Sequence, residues 1–298
     1  MIANLYIIPQ SFNHDAFSSE FFFLSLHNLI ADYHNLVKYK DENKIYIQED
    51  VFYIDLPNGI NLAEFVYSND LKLTGKEKSL KQTLSNILMK LPQVSTNIDE
   101  IKLEISKNSI DSSTGIISLF PIDNIALDNQ IVYDVNSWFH FRRHHLGLFF
   151  GDSNYFINEC VKYFPNIFFH DNNYSSVDKI LKDFALKIIK HLVALHDVLP
   201  MIMKNETFSN HADLLVHFSS KAGLDEIATL EGGSKTRLKF KFKNIKGKIE
   251  ELICEPHLKL CTNDKGDSKY FQNRIYFHFG KDKVEESKIL VAHIGEHL

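Results

Sequence analysis

Hydrophobic and polar positions along this chain follow two periods. NLYIIPQSF opens it as an apolar run of strand type, and after a Ser cap Phe22, Leu26, Leu29, Ile30, Tyr33 and Val37 recur at helical spacing. A strand and then a helix are expected. KIYIQEDVFYIDL predicts extended chain up to Pro57, and Lys76 to Lys90 a helix stopped by Pro92. Between Gln93 and Gln130 apolar runs are short, as in GIISLF, which predicts surface loops with at most an edge strand.

NYFINECVKYFPNIFFH predicts a helix broken before Pro165 and then a short strand. In SSVDKILKDFALKIIKHLVALHDVLP a Ser cap precedes Val177, Ile180, Leu181, Phe184, Ile188, Leu192 and Leu195, one apolar stripe that runs to Pro200. Lys204 to Ser220 adds a further helix. LEGGSKTR then reads as a turn into the strand RLKFKFK, and KIEELICEPHLKL, RIYFHF and KILVAHIGEHL alternate with period two. These last three predict a small sheet. On one face it would carry His257 and Lys259, then Arg274, Tyr276 and His278, then His293, Gly295 and His297; Ile275, Phe277, Leu290, Ala292 and Ile294 would lie beneath. The expected fold class is α+β: an N-terminal α/β region (1–130), a helical middle (131–230) and a small C-terminal antiparallel sheet (231–298).

Composition narrows the function classes. With 298 residues and 44% hydrophobic residues the chain can bury a sizeable core. No apolar run approaches the roughly 20 residues that cross a bilayer, and no leader pattern opens the sequence, so a cytoplasmic protein without a membrane partner is expected. Three cysteines predict reduced thiols rather than a disulfide framework. Net charge is -5, yet from Glu231 onward 14 Lys and Arg face 10 Asp and Glu, which gives +4 there and -9 for the first 230 residues. Nucleic-acid affinity therefore belongs at the C-terminal end, where Arg237, Lys239, Lys241 and Lys243, continued by Lys246 and Lys248, form a basic face.

Three clusters carry candidate chemistry. FHFRRHH brings His140, His144 and His145 close to Arg142 and Arg143, but the glutamate of a paired-histidine zinc helix is missing, so a solvated or domain-contacting basic helix is the expectation. Cys254, His257 and Cys261 fall one ligand short of a structural zinc site, and no metal or other cofactor is expected. His257, Lys259 and Asp264 match the His-x-Lys-x4-Asp motif of the phospholipase D superfamily, in a single copy without its Gly-Ser-x-Asn continuation. A phosphodiesterase of that kind is one alternative, and a non-catalytic nucleic-acid or protein-binding module is another.

NRIYFHFG followed by KILVAHIGEHL resembles the final two strands of RelE-type toxins, over roughly the last sixth of the chain. That resemblance implies a toxin-like effector that cleaves RNA without a metal ion, through attack of the ribose 2′-hydroxyl, in phage defence or another stress response. RNA or the ribosome and an inhibitory partner protein are the implied partners. His257, Lys259, Arg274, Tyr276, His293 and His297 are the candidate catalytic residues, because a planar cation, a point charge, a phenol and imidazoles suffice for phosphate binding and proton transfer. More than two hundred residues precede this segment, unlike the small free-standing toxins.

Overall fold

A computed structural model of the chain describes residues 2–12, 19–38, 43–56, 59–69, 71–122, 128–233, 235–260 and 273–298. They pack as two compact units, Met1–Arg142 and Arg143–Leu298.

In the first unit β1 (Ile2–Ile7), α1 (Ser19–Lys38), β2 (Asn43–Gln48), α2 (Leu62–Tyr67), α3 (Gly75–Leu88), β3 (Gln93–Val94), α4 (Ile98–Ser106), β4 (Ser112–Ile117) and β5 (Ile131–Val132) follow one another, with α5 (Val135–Leu148) after them. The five strands are all parallel, in the order β3-β2-β1-β4-β5, and α1 to α4 lie in the connections from β1 to β4 as the crossovers that parallel pairing requires. The opening strand and helix are as the pattern predicts. KIYIQEDVFYIDL is not extended throughout, since the chain turns at Glu49–Tyr53 into a short 3-10 helix.

The larger departure is the stretch from Gln93 to Gln130, which holds β3, α4 and the interior strand β4 rather than surface loops. Central parallel strands usually read as apolar runs, but SSTGII buries Ser113 and Thr114 instead. Small residues are needed there. A Cβ on Gly115 would stand 2.7 Å from Cε2 of Phe141 and 2.9 Å from the Gln130 carbonyl oxygen, so the approach of α5 forbids a larger side chain. The start of α4 was legible in principle: Asn97 accepts from the Asp99 and Glu100 amides while Glu100 accepts from the Asn97 amide, a capping box.

In the second unit come α6 (Ser153–Tyr163), β6 (Ile167–Phe169), α7 (Asn173–Ser176), α8 (Leu181–Val193), α9 (Leu199–Asn205) and α10 (His211–Lys221), then β7 (Lys239–Lys243), β8 (Ile249–Ile253), β9 (His257–Lys259), β10 (Arg274–His278) and β11 (Ile289–Gly295). The long helix does not end at Pro200. A π turn over Ala194–Val198 widens the ladder ahead of the proline, which then sits in the first turn of α9, where its missing N–H costs nothing. KIEELICEPHLKL is likewise not one strand: at Pro256 the chain passes from the β7–β8 hairpin into a four-stranded sheet of order β6-β11-β10-β9. In that sheet β6 is parallel to β11 and the other pairs are antiparallel.

The stripe of α8 and its neighbours, Val177, Ile188, Leu192 and Leu195, packs in one core with Ile275, Phe277, Val291 and Ile294. Helical residues after Arg143 and the C-terminal strands, divided at 230 in the sequence reading, thus share a single interior. Most of the FHFRRHH segment is buried rather than solvated, with His140 exposed and His144 half-buried. Arg142 is fully buried, with its guanidinium 4.9 Å from the Trp138 ring centroid, and Arg143 pairs with Asp197 at 2.9 Å.

Asp32, on α1, is only 4% exposed and leaves one carboxylate oxygen without a partner among the described residues. Burial, helped by the nearby Asp134, pushes its pKa up to about 7. The folded unit therefore keeps a proton that the unfolded chain releases above the ordinary carboxylate range, so stability falls as pH rises from about 4 to about 7. Asp32→Asn should remove that slope, shifting the stability difference between variant and parent by roughly 3–4 kcal/mol across the window. Urea denaturation followed by the fluorescence of Trp138, the single tryptophan, checks it; equal slopes for both proteins would contradict it.

Candidate functional site

The site occupies one face of the four-stranded sheet and is set by register. Tyr276 pairs across the strands with His257 on one side and His293 on the other; one step along, Arg274 pairs with Lys259 and Gly295. Paired residues share a face, so two rows lie side by side: imidazole–phenol–imidazole, and lysine–arginine–glycine.

A β-bulge makes this arrangement possible. The register of β10 against β11 shifts between Tyr276 and Phe277, leaving one extra residue in β11 beside Ala292. Leu290 and Ala292 consequently do not lie beneath the sheet with Ile294, as simple alternation predicts. They join Phe168 under the β7–β8 hairpin, packed on Phe242 and Leu252, while His293 and Gly295 continue on that same face beyond the hairpin. Half of the face is covered by the hairpin and half is left to the polar rows. Gly295 has a local reason as well: a Cβ there would stand 2.8 Å from Nε2 of His293 and 2.9 Å from the Ser176 carbonyl oxygen.

Burial sorts the six candidates. Tyr276, His257 and His293 are buried, at 0%, 3% and 7% exposure, whereas Arg274 and Lys259 are half-buried and His297 is exposed. The Asn172 side-chain amide donates to Nδ1 of His293 at 2.9 Å, which leaves Nε2–H to donate to the Glu296 carbonyl at 2.8 Å. Both ring nitrogens are thereby engaged. Nε2 of His257 lies 3.0 Å from the Thr229 hydroxyl, and Nδ1 lies 3.4 Å from the Glu255 carbonyl oxygen and 4.0 Å from a Glu231 carboxylate oxygen. Burial, reinforced by the Arg274 charge, lowers the His257 pKa to about 4, and burial lowers that of His293 too. These two imidazoles are neutral parts of the floor.

Glu231 is the residue that the sequence reading passed over. Its carboxylate accepts from the Tyr276 hydroxyl at 3.3 Å and lies 3.2 Å from Nε2 of His297. Burial alone would raise its pKa, but the attraction of His257 and His297 and the hydrogen bonds from Tyr276 and His297 outweigh that and hold it below the usual carboxylate range. Burial pushes the Tyr276 phenol up to about 12, with Glu231 adding to the rise, so it stays a hydrogen-bond donor. Thr229 and Asn172 were equally unmarked in the sequence. The one available signal was position, because Glu231 precedes the Gly-Gly turn that leads into the strands.

Arg274 is the planar cation of the second row. Its Nε and Nη1 are buried and meet no acceptor among the described residues. Lys259 is its direct cross-strand neighbour, about 5 Å away between Cβ atoms, and like charges so placed repel. Gly295 brings no counter-charge to the row. An anion bound there would relieve both costs.

The basic face beside the site is less uniform than expected. Arg237 lies in the 3-10 turn Lys235–Leu238 and not on the strand; Lys239, Lys241 and Lys243 are exposed, but they share the outer face of the hairpin with Ile249, Glu251 and Ile253. Glu251 pairs with Lys239 at 3.2 Å, and Lys246 and Lys248 are exposed at the hairpin turn. Cys254 is buried under the hairpin, where burial raises its thiol to about 12. Cys261 and Asp264 lie outside the described residues, and with them parts of the zinc trio and of the phospholipase D motif. Among the described residues no three His, Cys, Asp or Glu side chains converge as metal ligands, and no helix is long and apolar enough to cross a membrane.

No family model, curated protein or solved structure matches this chain.

Two outcomes follow from this geometry. Arg274→Met should leave the unit folded and as stable as the parent, or more stable by up to about 1 kcal/mol, because it removes an unpaired buried donor and a like-charge contact; a loss of more than about 1 kcal/mol in urea denaturation would mark the guanidinium as a structural partner. The C-terminal unit should also weaken in acid. Between pH 6.5 and about 4 the unfolded chain takes up a proton on His257 that the folded unit refuses, so stability falls as pH drops through that window. His257→Gln should flatten this slope in urea midpoints taken at pH 7 and pH 5 by circular dichroism.

Proposed function

We propose that the C-terminal unit is a metal-independent ribonuclease of toxin type, acting in the cytoplasm. The observation that carries the reading is Arg274, whose Nε and Nη1 meet no acceptor among the described residues, beside Lys259 and one row from a Glu231–His297 pair. The resemblance of the last two strands to RelE-type toxins supports the same chemistry. Arg274 and Lys259 hold the non-bridging oxygens of a phosphodiester and take up the charge that develops on them. Glu231 accepts the proton of the ribose 2′-hydroxyl as its oxygen attacks phosphorus. The bond from phosphorus to the 5′-oxygen breaks, and His297, the exposed imidazole, protonates that oxygen. The products carry a 2′,3′-cyclic phosphate and a 5′-hydroxyl. His257, Tyr276 and His293 position the acid–base pair rather than transfer protons themselves.

One observation favours a second reading, an RNA-binding module that does not cut. The floor of the site is closed, with Tyr276 fully buried and His257 nearly so, which suits a rigid anion cradle.

Incubation with matched RNA and DNA oligonucleotides in excess EDTA separates the two. The nuclease cuts RNA, spares DNA and RNA blocked at the 2′-position, leaves cyclic ends, and loses about 100-fold or more in rate on Arg274→Ala. Intact RNA with salt-sensitive binding would favour the module. Cleavage of DNA would overturn both.

A further inference from the structure

The β10–β11 hairpin ends in a turn of unusual backbone. Lys283, Glu285, Glu286 and Ser287 all take positive φ, at 63°, 42°, 59° and 61°, and they are the non-glycine residues that do so among those described. Side-chain-bearing residues avoid this region because Cβ crowds the following carbonyl, and such conformations concentrate at ligand sites. This turn forms one wall of an open pocket of about 510 Å³. Pro200, Met203, Phe279 and Ile289 give its lining an apolar part, and Lys204, Lys288, Asn166 and Glu286 a polar one. Phe279 and Ile289 belong to the helix-facing side of the sheet by alternation, so the pocket lies on the other face from Arg274 and Tyr276.

We propose that this pocket binds a nucleoside monophosphate. Its volume falls within the range of small-molecule sites, roughly 300–1,000 Å³. Its chemistry is split in the way that such a ligand is split. Met203 is 41% exposed and, with Phe279 and Pro200, offers an apolar surface for a base. Lys204 makes no ion pair among the described residues and supplies the charge for a phosphate. Glu286, held in place by Lys288 at 2.8 Å, presents a carboxylate that accepts from the ribose hydroxyls. Asn166 offers an amide to the edge of the base. This inference stands apart from the nuclease reading, since it uses none of the same side chains.

Titration calorimetry of the whole chain with AMP and GMP tests it, with adenosine and inorganic phosphate as controls. The expected result is binding of a mononucleotide that weakens at least tenfold on Lys204→Glu, with adenosine and phosphate each binding more weakly. Lys204 is exposed, so its variant should fold as the parent does, and matching circular dichroism spectra verify this. Absence of binding at millimolar nucleotide, or binding lost on Arg274→Ala and indifferent to Lys204→Glu, would overturn the assignment.

Discussion

The pairing of β10 with β11, with its one-residue slip beside Tyr276, is the constraint on which the C-terminal unit depends. In a regular ladder, Leu290 and Ala292 would lie on the opposite face from His293. The slip allows Leu290 and Ala292 to meet the β7–β8 hairpin and His293 to lie beside Tyr276 on the same face. One extra residue thereby divides a sheet face into a dry half and a polar half. The opposite face is apolar and packs against the helices, save at the end where Phe279 and Ile289 line the open pocket.

Within the polar half, burial separates two groups. The imidazoles of His257 and His293, 3% and 7% exposed, are held inside it by hydrogen bonds, whereas His297 and Glu231 lie at its margin. The cationic row is under tension of its own, because Arg274 and Lys259 stand together with no carboxylate between them among the described residues.

Much of this was legible in the chain. The stripe from Val177 to Leu195 is buried as its spacing predicts, and alternation alone put His257, Lys259, Arg274, Tyr276 and His293 on one face. What escaped had physical reasons. Strand β4 is built from serine, threonine and glycine because Phe141 leaves no room for more, so its sequence resembles a loop. Period-two reading assumes a regular ladder and cannot register a bulge. It also takes Pro256 for an interruption within one sheet when the proline marks a passage between two. Glu231 and Asn172 reach the site from turns, where no periodicity points at a partner far along the chain.

The bond between Asn172 and His293 joins residues 121 positions apart, and β6 must likewise wait for β11. At the roughly 5–20 residues per second of synthesis, a chain that has exposed Asn172 continues for on the order of 6–24 seconds before its partner emerges. During that interval the apolar stripe of α8 has no sheet to cover it, and the cationic row has not been assembled. A nascent chain of this design is vulnerable to aggregation early, and anything that arrests its translation yields a fragment without the polar rows.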